Sequence, residues 1–284
     1  STSVLLDWAL LVLPGLIWGA SFLFIAESLE ALAPDGVTFL RFVIGFLTLS
    51  LVPGARCPVL QRDRVGIAWL GVLWLAFPMS MFPHAEQHLS SALTGMLNGA
   101  IPLIAAGAAA LVAWQAPSRT VIVGLMVGFG GAAVMALPGI GAGGNSARGV
   151  SLIAAALLSY GVAINLARPL QQRNGALPVI WRAQLVALVI DLPIGIWAIG
   201  GSEFAWNSLV ACVVLGAAGT ALTYVWFSVL VGRVGATPGS ITLYFVPAVA
   251  IVLGAVVRDE TITISAIFGT ALVVLGAYVV SRSR

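Results

Sequence analysis

Arg41 and Arg182 lie inside long apolar stretches, where a charge is costly and marks a candidate working residue. A guanidinium there can attract a solute's carboxylate or close a gate against backbone carbonyls. The plainer alternative is that each reaches to the membrane interface, since each stands a turn or two from its helix end. Pro102 and Pro247 fall near the middle of two other apolar stretches. Each removes a backbone donor and frees a carbonyl four residues back, at Asn98 and Leu243, so each predicts a kink that serves as a hinge or lines a site. Polar and aromatic residues recur at helical spacing. Trp74, Phe77, Met81 and His84 form one stripe; Thr94 and Asn98 share a face, as do Thr237, Ser240 and Tyr244; Thr220, Tyr224 and Phe227 follow one another on a further stretch. Trp18, Ser21, Tyr160 and Asn165 add to the set. An aromatic stripe is commonly packing or an interface belt, but Trp18, Trp74, Tyr224 and Tyr244 stand well inside their stretches. Asn98 and Asn165 are costly in hydrocarbon and should face a bundle interior. The set predicts a cavity with aromatic walls and a few hydrogen-bonding points, suited to an amphipathic solute such as an amino acid with an apolar side chain.

Other chemistry has little support. Asp191 is the one carboxylate clearly within an apolar stretch; it is a candidate proton site, or Asp191-Leu192-Pro193 marks a local break. His84, Glu86 and His88 resemble a metal site only weakly, because Pro83 disturbs the spacing, and a solvated loop is expected there. HExxH, CxxC, paired-carboxylate and P-loop patterns are missing from the chain. The two cysteines, Cys57 and Cys212, suggest no disulfide, and no metal or cofactor is expected.

The elements that would position these residues are membrane helices. Only 8% of the 284 residues are charged, 60% are hydrophobic, and the mean hydropathy is +1.08. A water-soluble domain carries roughly 25% charged residues. Lipid is therefore the expected solvent for most of the surface. Crossing the hydrocarbon takes about 20 apolar residues. Ten such runs occur, at residues 8–27, 36–53, 65–83, 90–113, 119–138, 149–168, 177–199, 205–231, 238–257 and 263–281. All 13 basic residues are Arg. With the N-terminus placed in the cytoplasm, nine of them fall in cytoplasmic segments and two, Arg148 and Arg258, in outer loops, which puts both termini inside.

The second half of the chain echoes the first. At a spacing of 145 residues Gly71 meets Gly216, Pro102 meets Pro247, Gly124 meets Gly269 and Gly131 meets Gly276. Near the start of each half the spacing is 141 or 142, so that Trp18-Gly19 meets Tyr160-Gly161 and Arg41 meets Arg182. The expected division is residues 1–140 and 141–284, two five-helix halves that enter the membrane in opposite senses because five is odd. Pairs of glycines four apart (Gly15/Gly19, Gly95/Gly99, Gly124/Gly128, Gly235/Gly239) allow close helix approach. The fifth and tenth runs read as packing helices.

Ten spans in two inverted halves, Trp18-Gly19-Ala20-Ser21-Phe22, Arg41, Pro102 and Pro247 resemble the drug/metabolite transporter superfamily, in its ten-helix EamA-type branch. Gly95-Met96-Leu97-Asn98 followed by Pro102 is similar to the YddG-like exporters of aromatic and other amino acids, although Gly99 and Ile101 stand where bulkier aromatic residues are expected. The resemblance implies export of amino acids or related metabolites across the bacterial inner membrane by alternating access. It implies a small-molecule substrate, a lipid bilayer as surroundings and no nucleic-acid partner. A monomer is expected, with a dimer as the alternative. The competing readings are a lipid-handling or membrane-embedded enzyme, and a channel, for which no repeated filter stretch is visible.

Overall fold

The computed structural model describes residues 2–112, 118–141, 144–234 and 240–282. Among these residues every regular element is helical. Ten helical segments follow one another: α1 (Thr2–Ser28), α2 (Pro34–Ser50), α3 (Gln61–Glu86), α4 (Ser91–Asn98 and Ile101–Val112), α5 (Arg119–Gly141), α6 (Gly144–Asn174), α7 (Ala176–Gly200), α8 (Trp206–Gly216, Ala217–Leu222 and Thr223–Val234), α9 (Ser240–Tyr244 and Phe245–Val257) and α10 (Ile264–Arg282). Seven of them are long and apolar enough to cross a membrane; Arg119–Met135 and Thr242–Val257 are shorter apolar helices, and α2 is 17 residues long. The protein is an all-α polytopic membrane protein.

Eight of the ten close into a ring. Going round it, each helix packs on the next in the order α1, α9, α4, α6, α3, α7, α2, α8 and back to α1. Small residues set these approaches, as close packing in lipid requires. Gly15 and Gly19 of α1 press on Thr242, Phe245 and Val249 of α9, and Gly71 of α3 meets Ala183 and Val186 of α7. On α2, Gly45 lies against the Gln184 amide of α7 and against Thr220 of α8.

α5 and α10 stand outside the ring and pack on each other. Their seam is backbone on backbone. A Cβ on Gly131 would lie 2.5 Å from the Gly269 carbonyl oxygen, and one on Gly276 would lie 2.5 Å from the Gly124 oxygen. The expectation of packing helices with few polar side chains agrees with this seam.

Four of the ring helices are irregular. α4 breaks at Gly99-Ala100, where Gly99 N–H reaches back to Met96 O and Ala100 N–H to Leu97 O, tight turns that lead into Pro102. α9 begins as a 3₁₀ stretch, Ser240–Tyr244, just before Pro247. A Cβ on Gly99 would touch the Pro247 ring at 2.7 Å, so the two kinked helices cross at their kinks. α3 and α8 each widen into a π-helical stretch, at Gly71–Ala76 and Ala217–Leu222. Such stretches cluster at functional sites.

Three sequence expectations need correction. The local break weighed at Asp191-Leu192-Pro193 does not occur, and α7 runs unbroken through it with Pro193 on an exposed face. The loop expected between Gly139 and Asn145 is mostly helix, with α5 reaching Gly141 and α6 starting at Gly144. α3 continues through Pro83 to Glu86, so His84 and Glu86 are helical rather than part of a solvated loop. The Gly235/Gly239 pair and Thr237 lie outside the described residues.

Glu260, in the turn after α9, holds the start of α4. Its carboxylate accepts from Ser91 N–H (2.9 Å), Ser91 Oγ–H (2.7 Å) and Ala92 N–H (2.8 Å), which meets the unpaired donors and positive dipole of that helix end. Glu260→Ala is expected to lower stability by about 1–2 kcal/mol, read as a drop in the melting temperature of detergent-solubilised protein.

Candidate functional site

Inside the ring, aromatic side chains from four helices meet. Trp18 of α1 packs edge-on against Tyr224 of α8, with ring centroids 5.8 Å apart, and Trp74 of α3 also meets Tyr224, at 5.4 Å. Phe227 closes on Trp18 at 5.2 Å. A second chain of rings runs from Phe22 of α1 through Phe82 of α3 to Tyr160 of α6, at 5.7 and 6.0 Å. Trp74 sits within the π stretch of α3 and gains its inward direction there, since a π turn shifts the helical phase of the residues after it.

Arg41 of α2 points into this interior. It is 6% exposed, and Nε–H donates to Thr220 Oγ1 at 2.8 Å. Thr220 belongs to the π stretch of α8 and donates in turn to Leu215 O. The Nη groups of Arg41 have no hydrogen-bond partner among the described residues. Tyr160, Tyr224, Cys212 and Glu86 all lie within electrostatic reach of its charge. Gln184 of α7, fully buried, packs by Gly45 beside Thr220, and neither end of its amide finds a hydrogen-bond partner there. An interior with these unpaired groups is preorganised for a polar solute that supplies the missing partners.

At one end of the ring lie most of the acids. Arg258 Nη1 donates to Glu27 at 2.5 Å and Glu30 at 3.1 Å. Burial pulls the Arg258 guanidinium towards the neutral form, but these two carboxylates outweigh it and hold its pKa above the ordinary value. Asp35 bonds His84 Nε2 at 2.9 Å. Glu86 differs. Both carboxylate oxygens are sealed from solvent and unpartnered among the described residues. A cavity of about 380 Å³ is lined here by Ala26, Leu29, Glu30, Glu86, Gln87 and Arg258. The opposite end is held by Asp63 at the start of α3, which accepts from Arg173 Nε (3.1 Å) and Nη2 (2.8 Å) and from Asn174 Nδ2 (2.7 Å) at the end of α6.

The residues expected at the site therefore divide. Trp18, Trp74, Tyr160 and Tyr224 come together with Arg41. Ser21 is buried on the same helix as Trp18, its hydroxyl bonded to Ile17 O at 2.9 Å and facing Gly219. Asn98, just before the α4 break, leaves its buried Oδ1 unpaired. Asn165 donates to Ala105 O (3.1 Å) and Gly161 O (2.8 Å), a bond between α6 and α4. Met81 and Tyr244 are half-buried against the core. His84 is engaged by Asp35. Phe77 is 41% exposed and takes part in no ring contact among the described residues, because the widened turn before it rotates it out of line with Trp74. Arg182 stays near the start of α7, with Nη1 donating to Pro178 O at 3.1 Å and its guanidinium over the Trp181 ring at 5.4 Å. Arg41 and Arg182 thus have different surroundings.

Three residues at the centre went unrecognised in the sequence. Gln184 is an amide inside an apolar run, the same signal that singled out Asn98 and Asn165. Glu86 was obscured by the expected loop. Phe82 lies off the Trp74–Phe77 stripe in a regular helix, and only the π stretch brings it inward.

Known proteins place the chain. The EamA-like transporter family matches it twice, over residues 8–137 and 147–282. An uncharacterised transporter of Archaeoglobus fulgidus is 22% identical over 98% of this chain and 99% of its own length. A probable terminal-alkyne amino-acid exporter of Streptantibioticus cattleyicolor is 27% identical, over 97% of this chain and 93% of its own. The uncharacterised transporter YdfC of Bacillus subtilis is 25% identical over 92% and 86%. A solved crystal structure superposes with a TM-score of 0.62 at 18% identity, covering 98% of this chain and 96% of that one, a likeness of fold. With its ring of helices, its buried arginine and two matched stretches that together span nearly the whole chain, this membrane protein is a transporter and belongs to the EamA-like transporter family.

Proposed function

We propose that the protein exports amino acids with apolar side chains, aromatic ones included, and related small metabolites across the bacterial inner membrane by alternating access. The observation that carries this reading is Arg41: a guanidinium 6% exposed, held by one bond to Thr220, with its Nη groups unpaired beside Tyr160 and Tyr224. A carboxylate is the ligand whose geometry fits such a fork. The rings of Trp18, Trp74, Tyr224 and Phe22 then receive an apolar side chain. The amino-acid exporter among the relatives points the same way.

Alternating access follows from treating residues 1–140 and 141–284 as inverted repeats. The ring order supports that reading. Exchanging each helix with the one five places on in the chain turns α1, α9, α4, α6, α3, α7, α2, α8 into the same ring traversed in the opposite sense. A two-fold axis in the membrane plane produces that reversal, whereas an axis along the membrane normal would keep the sense. The π stretches of α3 and α8, the kinks of α4 and α9 and the paired α5 and α10 fall at corresponding places. In this reading Pro102 and Pro247 are the hinges, Arg41 binds or gates from one half, and Arg182 is its counterpart near the cytoplasmic end. Both termini are cytoplasmic, the Asp63–Arg173 contact faces the cytoplasm and the acidic end faces outward. A monomer suffices for this mechanism.

Reconstituted proteoliposomes loaded with unlabelled leucine, methionine or phenylalanine test the proposal. Saturable counterflow of the labelled amino acid is expected. Flux without counterflow would indicate a channel, chemical conversion of the label an enzyme, and absence of flux for the whole panel would reject amino acids as substrates.

A further inference from the structure

We infer that Glu86 is the subsite for the α-ammonium group of the transported solute, paired across the interior with Arg41 for the carboxylate, so that the protein selects zwitterions. The inference rests on the amino-acid reading above and narrows it.

Four acids surround Arg258 and the α4 start, and three of them are engaged. Glu27 and Glu30 take Arg258. Glu260 takes Ser91 and Ala92. Glu86 alone of the four has both oxygens buried without a partner among the described residues. A carboxylate withdrawn from water needs a cation or donors. The nearby guanidiniums do not supply them: Arg258 is held by two other carboxylates, and Arg41 makes no hydrogen bond to Glu86 among the described residues.

Arg41 and Glu86 are close enough to influence each other's charge. Asp35 bonds His84, which sets the start of α2 beside the end of α3. From that junction the Arg41 side chain rises toward the start of α2, and the Glu86 side chain descends toward the start of α3, because helical side chains lean toward their own N-termini. Phe82, one turn before Glu86, stacks on Tyr160, which is itself within electrostatic reach of Arg41, so aromatic rings link the surroundings of the two charges. The arrangement therefore offers an anion site, a cation site and an apolar wall together. That is the chemistry of an α-amino acid with both termini free, and it disfavours acids or amines carrying only one charge.

Counterflow competition in proteoliposomes tests this. Labelled leucine is exchanged against unlabelled leucine, N-acetyl-leucine, which keeps the carboxylate but loses the cation, and leucinamide, which keeps the cation but loses the carboxylate. In the wild-type protein each blocked analogue is expected to compete at least about 30-fold more weakly than leucine, since leaving one member of a buried charge pair unmatched carries a penalty of that size. In Glu86→Gln the preference of leucine over N-acetyl-leucine should collapse, while the preference over leucinamide survives. Equal competition by leucine and N-acetyl-leucine in the wild-type protein overturns the ammonium subsite and leaves amino-acid transport standing. Absence of leucine, methionine and phenylalanine counterflow overturns both readings. Retention of the full N-acetyl discrimination by a folded Glu86→Gln protein assigns the cation site elsewhere and rejects Glu86.

Discussion

Arg41→Gln is expected to reduce amino-acid counterflow by at least about 30-fold while the protein still folds, because the substitution removes the group proposed to receive the carboxylate. Glutamine retains a donor for Thr220 Oγ1, now 2.8 Å from Arg41 Nε, so the link between α2 and α8 is largely kept. What disappears is the charge and the planar pair of Nη donors. Arg41→Lys separates the two losses: it restores charge without the fork, and should recover part of the activity. Thr220→Val breaks the positioning bond and leaves the guanidinium in place, so its effect should be milder. Uptake by Arg41→Gln at the wild-type rate, with normal expression and melting temperature, would remove Arg41 from the mechanism. Arg182→Gln provides the contrast. Its guanidinium bonds only the carbonyl one turn before it and lies over Trp181, so the buried-charge argument does not apply there.

The second large effect is steric. Gly276→Leu should separate α5 from α10 and lower the melting temperature sharply, by an amount corresponding to at least about 1–3 kcal/mol. A Cβ at Gly276 would meet the Gly124 oxygen at 2.5 Å, Gly128 N at 2.6 Å and Gly128 Cα at 2.7 Å. All three are backbone atoms, which cannot rotate aside as a side chain can. Gly130, on the same helix as Gly131, has no neighbour within 4 Å of a built Cβ, so Gly130→Leu is the control and should be nearly silent. Equal melting temperatures for Gly276→Leu and Gly130→Leu would show that the seam contributes nothing to stability.

How much of this was legible in the sequence depended on whether a signal was local. Hydropathy located the apolar runs, because span length is set by membrane thickness alone. Intramembrane charge and amide cost singled out Arg41, Asn98 and Asn165, and helical spacing brought Trp18, Trp74 and Tyr224 to attention before any contact was known. The π stretches at Gly71–Ala76 and Ala217–Leu222 carried no such mark. Regular spacing placed Phe77 with Trp74; the widened turn separated them and brought Phe82 to Tyr160 instead. Pro83 suggests an interruption and Pro193 an alternative one, yet both helices run through them; around the buried Pro83 neighbouring helices can support the backbone. The sealed state of Glu86 is a tertiary fact: it depends on which other acids already hold Arg258 and the start of α4, and no spacing along the chain records that.

The closed ring has a geometric corollary. Its eight rods are each laced to two neighbours, so none can leave without parting from both, and close approaches such as those at Gly45 and Gly71 hold them together. Under the proposed alternating access, staves joined in this way would lean together, and spreading at the rim would draw the base in. On that reading, leakage through both mouths at once would require parting neighbouring helices of the ring.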